Sequence, residues 1–139
     1  MDSIEDAIRI VGGRMTKTRK AIVEIIAGTD CLLSRADLVR SLSRRGLRPN
    51  RSTIYRELRF LTKHRFVGEC VIDGVVYYEV QRDSHGHLVC MGCRGIRRMP
   101  AKYFEDAKRK IHHDEKFHVT DRSLNVYGYC NKCKETECV

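Results

Sequence analysis

Cys90 and Cys93 stand in one C-x-x-C, and Cys130 and Cys133 in another. Each pair can place two thiolates on one cation. Two pairs complete a tetrahedral shell of the kind that holds zinc, with no position left for water or substrate. The spacing therefore implies a structural zinc, one per chain. Binding to such a site, roughly 10–16 kcal/mol in small metal-dependent domains, appears as folding free energy. That matches or exceeds the ~5–15 kcal/mol by which whole domains are stable, so the second half of the chain is expected to fold around the ion. Cys31, Cys70 and Cys138 are left over. They read first as small buried or idle thiols, and second as redox sensors.

A second constellation lies in the first half. Ile54, Leu58 and Leu61 recur at helical spacing, and Ser52, Tyr55, Arg56, Arg59 and Lys63 fall on the opposite side. Arg51 lies between the faces, and Thr53 stands at the helix start. A basic face carrying hydroxyls and one aromatic suits the major groove. Arginine reads guanine edges bidentately, while lysine and hydroxyl groups hold phosphates. The plain alternative is an amphipathic helix with a solvated face. Arg14, Lys17, Arg19 and Lys20, at the start of an earlier helix, are candidate phosphate contacts that would set register.

The charge distribution favours the nucleic-acid reading. The chain has 139 residues and a formal charge of +9; four thiolates around a zinc would leave about +7. Between Arg14 and Arg65 there are fourteen Lys or Arg against four acids, Glu24, Asp30, Asp37 and Glu57. A segment this basic points to a polyanion. No apolar run approaches the ~20 residues that span a bilayer, and the N-terminus lacks a signal peptide's apolar stretch. A cytoplasmic protein is expected, where paired cysteines are more often metal ligands than disulfides.

The elements that must position these groups follow from periodicity. Ile4, Ala7, Ile8 and Val11 predict a first helix, stopped at Gly12-Gly13. Thr18–Ala27 reads as a second, burying Ala21, Ile22, Ile25 and Ile26. Ser34 and Asp37 form a capping box for a third, which carries Leu38, Val39 and Leu42. Ser52 or Thr53 would cap the fourth, running to about Lys63. Phe66–Ile72 and Val75–Val80 are then β-branched and aromatic runs around Asp73-Gly74, a tight-turn signal. Three helices followed by a hairpin is the order of a winged helix-turn-helix. Beyond a polar stretch at Gln81–Ser84, strands are expected at Leu88–Cys90, Ile96–Met99, Phe117–Thr120 and Leu124–Tyr129. A helix would start after Pro100, with Tyr103, Phe104, Ala107 and Ile111 on its apolar face. The fold class is therefore α+β: a winged-helix domain over residues 1–82 and a small α/β domain with the four-cysteine site over 83–139.

Together these pieces resemble the ferric uptake regulator family, over nearly the whole chain. Gly13-Arg14-Met15-Thr16 with Arg19 resembles its N-terminal motif, and Ser52-Thr53-Ile54-Tyr55-Arg56 its recognition helix. His85-Gly86-His87-Leu88-Val89-Cys90-Met91-Gly92-Cys93 resembles the highly specific H-x-H-L-x-C-x-x-C. Leu124 to Cys130 resembles the final strand and second cysteine pair. The resemblance implies a homodimeric DNA-binding regulator, usually a repressor. Residues 1–82 would bind DNA and 83–139 would dimerise. The operator would be roughly palindromic, because two-fold protein symmetry matches two-fold DNA symmetry. It also implies a second, regulatory metal at the hinge.

That regulatory site departs from the family pattern. Glu79, His85 and His87 match three of its five ligands, but the remaining positions fall on Leu32 and Arg98. A further site seen in many members falls on Ser84, Gly86, Glu105 and Arg122, of which Glu105 alone coordinates well. One reading is a rebuilt site completed by Cys31, whose thiolate would favour Zn2+ over Fe2+ or Mn2+. Another is a closed shape held without metal, with Arg98 and Arg122 pairing Glu79 or Glu105. A third is oxidation of the spare thiols. His85 and His87 could also merely orient the zinc loop, and His112, His113 and His118 read as surface residues.

Other function classes fit less well. A dithiol redox centre normally opens a helix in a βαβ setting, and neither cysteine pair follows that layout. Four thiolates leave a catalytic zinc no open position. No nucleophile–base constellation or phosphate-binding glycine loop stands out, so an enzyme is not expected. A zinc-ribbon interaction module is the nearer rival. The 36 residues between the pairs exceed ribbon spacing, and that reading leaves the basic helix without a role.

Overall fold

A computed structural model describes residues 2–29, 31–80, 86–120 and 124–134. The chain divides into two compact units, Met1–Gln81 and Arg82–Val139. In the first, α1 (Asp2–Ile10) and α2 (Lys17–Ala27) precede a two-residue strand, β1 (Leu33–Ser34). Then come α3 (Arg35–Arg44), α4 (Arg51–Lys63) and the strands β2 (Val67–Ile72) and β3 (Val75–Val80). Local chemistry sets the helix starts. Thr16 caps α2 by accepting from the Arg19 N–H at 3.1 Å. Ser34 caps α3 by accepting from the Asp37 N–H at 3.1 Å, and its hydroxyl donates to the Asp37 carboxylate at 2.9 Å. Each satisfies a backbone donor that the first helical turn leaves unpaired.

The hairpin turns at Asp73 (φ 51) and Gly74 (φ 77). Two successive left-handed residues match the twist of the flanking strands and set the register with Ile72 opposite Val75. β1 adds to the other edge of β3, giving the order β1-β3-β2. The helical stripes meet in one core, where Ile8, Ile22, Ile26, Leu38, Leu42, Leu58 and Leu61 are all at most 2% exposed. Each such side chain contributes roughly 1.5–3 kcal/mol by leaving water.

Two expectations for this unit are corrected. Val39 is 43% exposed rather than part of the buried stripe; Leu38 and Leu42, one turn apart, are the α3 residues that reach the core. The cap of α4 is Asn50, not Ser52 or Thr53. Its Oδ1 accepts the Thr53 N–H at 2.8 Å and the Ser52 hydroxyl at 3.0 Å, so helix begins at Arg51.

The second unit contains β4 (Gly86–Cys90), β5 (Ile96–Met99), α5 (Ala101–Glu115) and β6 (Asn125–Gly128). The sheet order is β5-β4-β6, with β4 antiparallel to β5 and parallel to β6. Pro100 precedes α5, where its missing N–H costs nothing. Phe104 is the buried residue of that helix. Tyr103 and Ile111 are 53% and 39% exposed, so the expected four-residue apolar face is not covered within this unit. Phe117–Thr120 forms no strand and pairs with none among the described residues, and Phe117 is exposed. The pairing segment at Leu124–Tyr129 is the shorter Asn125–Gly128.

Candidate metal centre and nucleic-acid interface

The first C-x-x-C leaves the end of β4 in a tight turn, and the second follows the end of β6. Parallel pairing aligns Cys90 with Gly128, which brings the two turns to the same end of the sheet. The Sγ atoms of Cys90, Cys93, Cys130 and Cys133 all lie within 4.8 Å of one another. A zinc ion at ~2.3 Å from four sulfurs needs them about 3.8 Å apart, a separation compatible with this cluster.

The electrostatics agree. The N–H groups of Cys130 and Cys93 approach Cys90 Sγ at 3.4 and 3.5 Å. These donors, that of Cys130 foremost, bring the Cys90 thiol from its ordinary 9 down to about 6. Cys130 is lowered as well, chiefly by the hydrogen bond from the Cys133 thiol. Cys133 is pushed up to about 12, because its proton is shared with Cys130 and Cys90. Cys90, Cys130 and Cys133 thus compete for shared protons. A divalent cation removes that competition, which is the chemistry of a thiolate metal site. It supplies cross-linking of the two turns and no open coordination position.

The residues read as a regulatory site are placed as follows. In the first unit, Cys31 is half-buried just before β1 and Glu79 is half-buried on β3. Cys31 Sγ and a Glu79 carboxylate oxygen lie within 4.8 Å of each other. In the second unit, His87 is 2% exposed on β4, and its Nδ1 sits 3.0 Å from Asn125 Oδ1. Glu105 is exposed on α5 and joins no cluster of donor residues among those described. His85, Ser84, Arg122 and Cys138 lie outside the described residues. Cys70 is buried on β2, as its reading as a small apolar residue requires. His112, His113 and His118 are exposed.

The other constellation is on α4. Ile54, Leu58 and Leu61 are buried, while Arg51, Ser52, Tyr55, Arg56 and Arg59 are exposed and Thr53 is half-buried. Arg56 Nη2 lies 3.4 Å from Thr53 Oγ1 and is otherwise directed to solvent. Neither α2 nor α4 carries an acid in its first turn. Instead Arg14 and Lys17, both exposed, flank the start of α2, and Arg51 opens α4. Cations at the positive end of a helix dipole weaken the fold slightly and strengthen any phosphate site there. Arg19 does not belong with them. Its side chain is 12% exposed, its Nε donates to Glu57 Oε2 at 2.6 Å, and its Nη1 donates to the Arg14 carbonyl at 2.8 Å. Its guanidinium also lies 3.8 Å from the centre of the Phe60 ring. The expectation of a phosphate contact is corrected: this cation is spent inside the unit. Sequence spacing missed Glu57 as its partner, because 38 residues separate the two.

A model of the ferric uptake regulator family matches residues 11–127. The chain belongs to the ferric uptake regulator family. It is 29% identical over 145 residues to the ferric uptake regulation protein of Vibrio parahaemolyticus, covering 97% of this chain and 94% of that one. The crystal structure of the Vibrio cholerae ferric uptake regulator superposes with a TM-score of 0.76 at 25% identity, over 91% of this chain and 98% of that one. The Helicobacter pylori regulator, described as having three functional metal-binding sites, shares the fold with a TM-score of 0.81 at 20% identity, over 98% and 92%. As a family member the chain is a dimeric DNA-binding transcriptional regulator with a structural zinc site, and it is not an enzyme. No described helix is long and apolar enough to cross a membrane.

Proposed function

We propose that this regulator represses transcription in the cytoplasm by reading a roughly palindromic operator with α4. Residues 1–82 form the DNA-binding domain and 83–139 the zinc-bound dimerisation domain. The observation that carries the reading is the two-sided character of α4: three buried leucine-type residues fix it to the core, and Tyr55, Arg56 and Arg59 are left exposed on its outer face. Arg14, Lys17 and Arg51 supply phosphate contacts around it. In the second unit, Tyr103, Phe117, Val126, Tyr127 and Tyr129 are each more than 40% exposed. An apolar surface of that kind marks a protein interface, and supports placing the dimer contact there.

For a second metal we propose Cys31 with Glu79 as the donor pair, and His85 and His87 as the imidazoles the sequence motif offers. A soft thiolate in this set selects Zn2+ over Fe2+ or Mn2+. Glu105, exposed and apart from other donors, is not retained.

The test is binding of the zinc-loaded dimer to its own upstream DNA at fixed salt, with Arg56→Ala alongside. Loss of a bidentate base contact should cost ~1–3 kcal/mol in operator binding and flatten the preference over random duplex. Zinc content should not change. If Arg56→Ala keeps full operator preference, α4 does not read the sequence. Titrating Zn2+, Fe2+ and Mn2+ into the same assay tests the second metal; equal affinity with and without added metal refutes it.

A further inference from the structure

The Gly13–Thr16 turn, which presents Arg14, is closed locally by the Thr16 N–H donating to the Arg14 carbonyl at 3.2 Å. Met15 is partly buried against the core, and the Gly13 N–H bonds the Ile8 carbonyl at 2.8 Å. It meets α4 directly where Gly13 lies against the Phe60 ring, and a polar link to α4 runs through Arg19. Arg19 bonds the Arg14 carbonyl with Nη1 and Glu57 on α4 with Nε, while its plane lies over Phe60, also on α4. Both partners of the ion pair are nearly buried, at 12% and 15% exposure. The fit leaves no slack around the ring: a methyl group at Gly13 would stand 2.6 Å from Phe60 Cζ and 2.9 Å from Ile8 Cγ2. α4 itself is held independently by Ile54, Leu58 and Leu61.

We propose that Arg19 is a positioning residue. It holds the turn carrying Arg14 in register with α4, so that a backbone contact and the base-reading face meet one duplex together. The inference rests on the reading of α4 as the DNA-reading helix. A planar guanidinium can bond two acceptors edge-on and stack on a ring at once; a lysine ammonium cannot. A phosphate contact, by contrast, is kept by lysine.

The experiment measures operator affinity and its salt dependence for the zinc-loaded dimer with Arg14→Ala, Arg19→Lys and the double variant. Positioning predicts that each single substitution weakens binding about tenfold, and that the double is weakened about tenfold too, not a hundredfold. The salt slope should fall by about one phosphate in all three. Arg19→Lys binding like the unaltered protein, or losses that multiply in the double, would overturn the proposal. Should Arg19→Lys fail to fold, Glu57→Ala keeps the arginine and its charge while removing the acceptor that anchors it. It should show the same loss, again absent in the Arg14→Ala background, and an unchanged affinity overturns the proposal equally. Arg56→Ala in parallel separates this outcome from failure of the DNA-reading assignment.

Discussion

Gly92, between the cysteines of the first pair, makes the geometry of the metal centre testable. A Cβ built there lies 2.8 Å from Cys133 Cβ and 2.9 Å from Cys133 Sγ. Ordinary contact between such atoms begins near ~3.5 Å, so alanine demands a displacement of roughly 0.6 Å. A zinc shell tolerates only about 0.2 Å in its bond lengths. The Cys133 sulfur, tied to the ion, cannot yield that far without leaving it. Disturbing a group that orients a metal ligand typically costs 10–100-fold in affinity, or ~1.4–2.8 kcal/mol. Gly92→Ala should therefore weaken zinc binding by at least that factor, read by competition with a chromophoric chelator on the full chain. The same geometry ranks two controls. A Cβ at Gly95 meets Cys93 Sγ at 3.3 Å, and one at Gly128 meets nothing within 4 Å. Gly95→Ala should lose less than tenfold, and Gly128→Ala nothing measurable. Unchanged zinc affinity in Gly92→Ala, or a reversed order among the three, would refute the reasoning.

Two stability predictions follow from the caps. Asn50→Ala removes the acceptor for the Thr53 N–H at the head of α4 and should cost ~1 kcal/mol. In a unit of this size that lowers the thermal midpoint by about 4–8 °C, whereas Ser52→Ala and Thr53→Ala should each move it far less. At α3, the Ser34 hydroxyl, and then Arg40, hold the Asp37 carboxyl below its ordinary 3.8. A folded value below the unfolded one stabilises the fold fully above the unfolded value, and that stability is lost as the pH falls through the folded one. The urea midpoint of the parent should thus exceed that of Asp37→Asn at neutral pH, and the gap should close below about pH 3.8. A gap independent of pH would show that the carboxylate charge plays no part in the cap.

Much of this protein is set by short-range sequence. Two C-x-x-C turns, the Ser34–Asp37 cap, the Asp73-Gly74 turn and the 3.6-residue stripes of α2 and α4 each depend on residues within a few positions of one another. Backbone geometry and local hydrogen bonding decide them, so they are legible before any fold is known. The family motifs are legible for the same reason. Tertiary structure decided what depends on partners distant in the chain. β1 is two residues long and exists only because β3 pairs with it. The cation of Arg19 is turned inward by Glu57 and Phe60, which nothing in the spacing of the N-terminal motif announces. Likewise, an apolar stripe such as that of α5 states only that a surface seeks cover. Which part finds it within one chain, as Phe104 does and Tyr103 and Ile111 do not, is a property of packing.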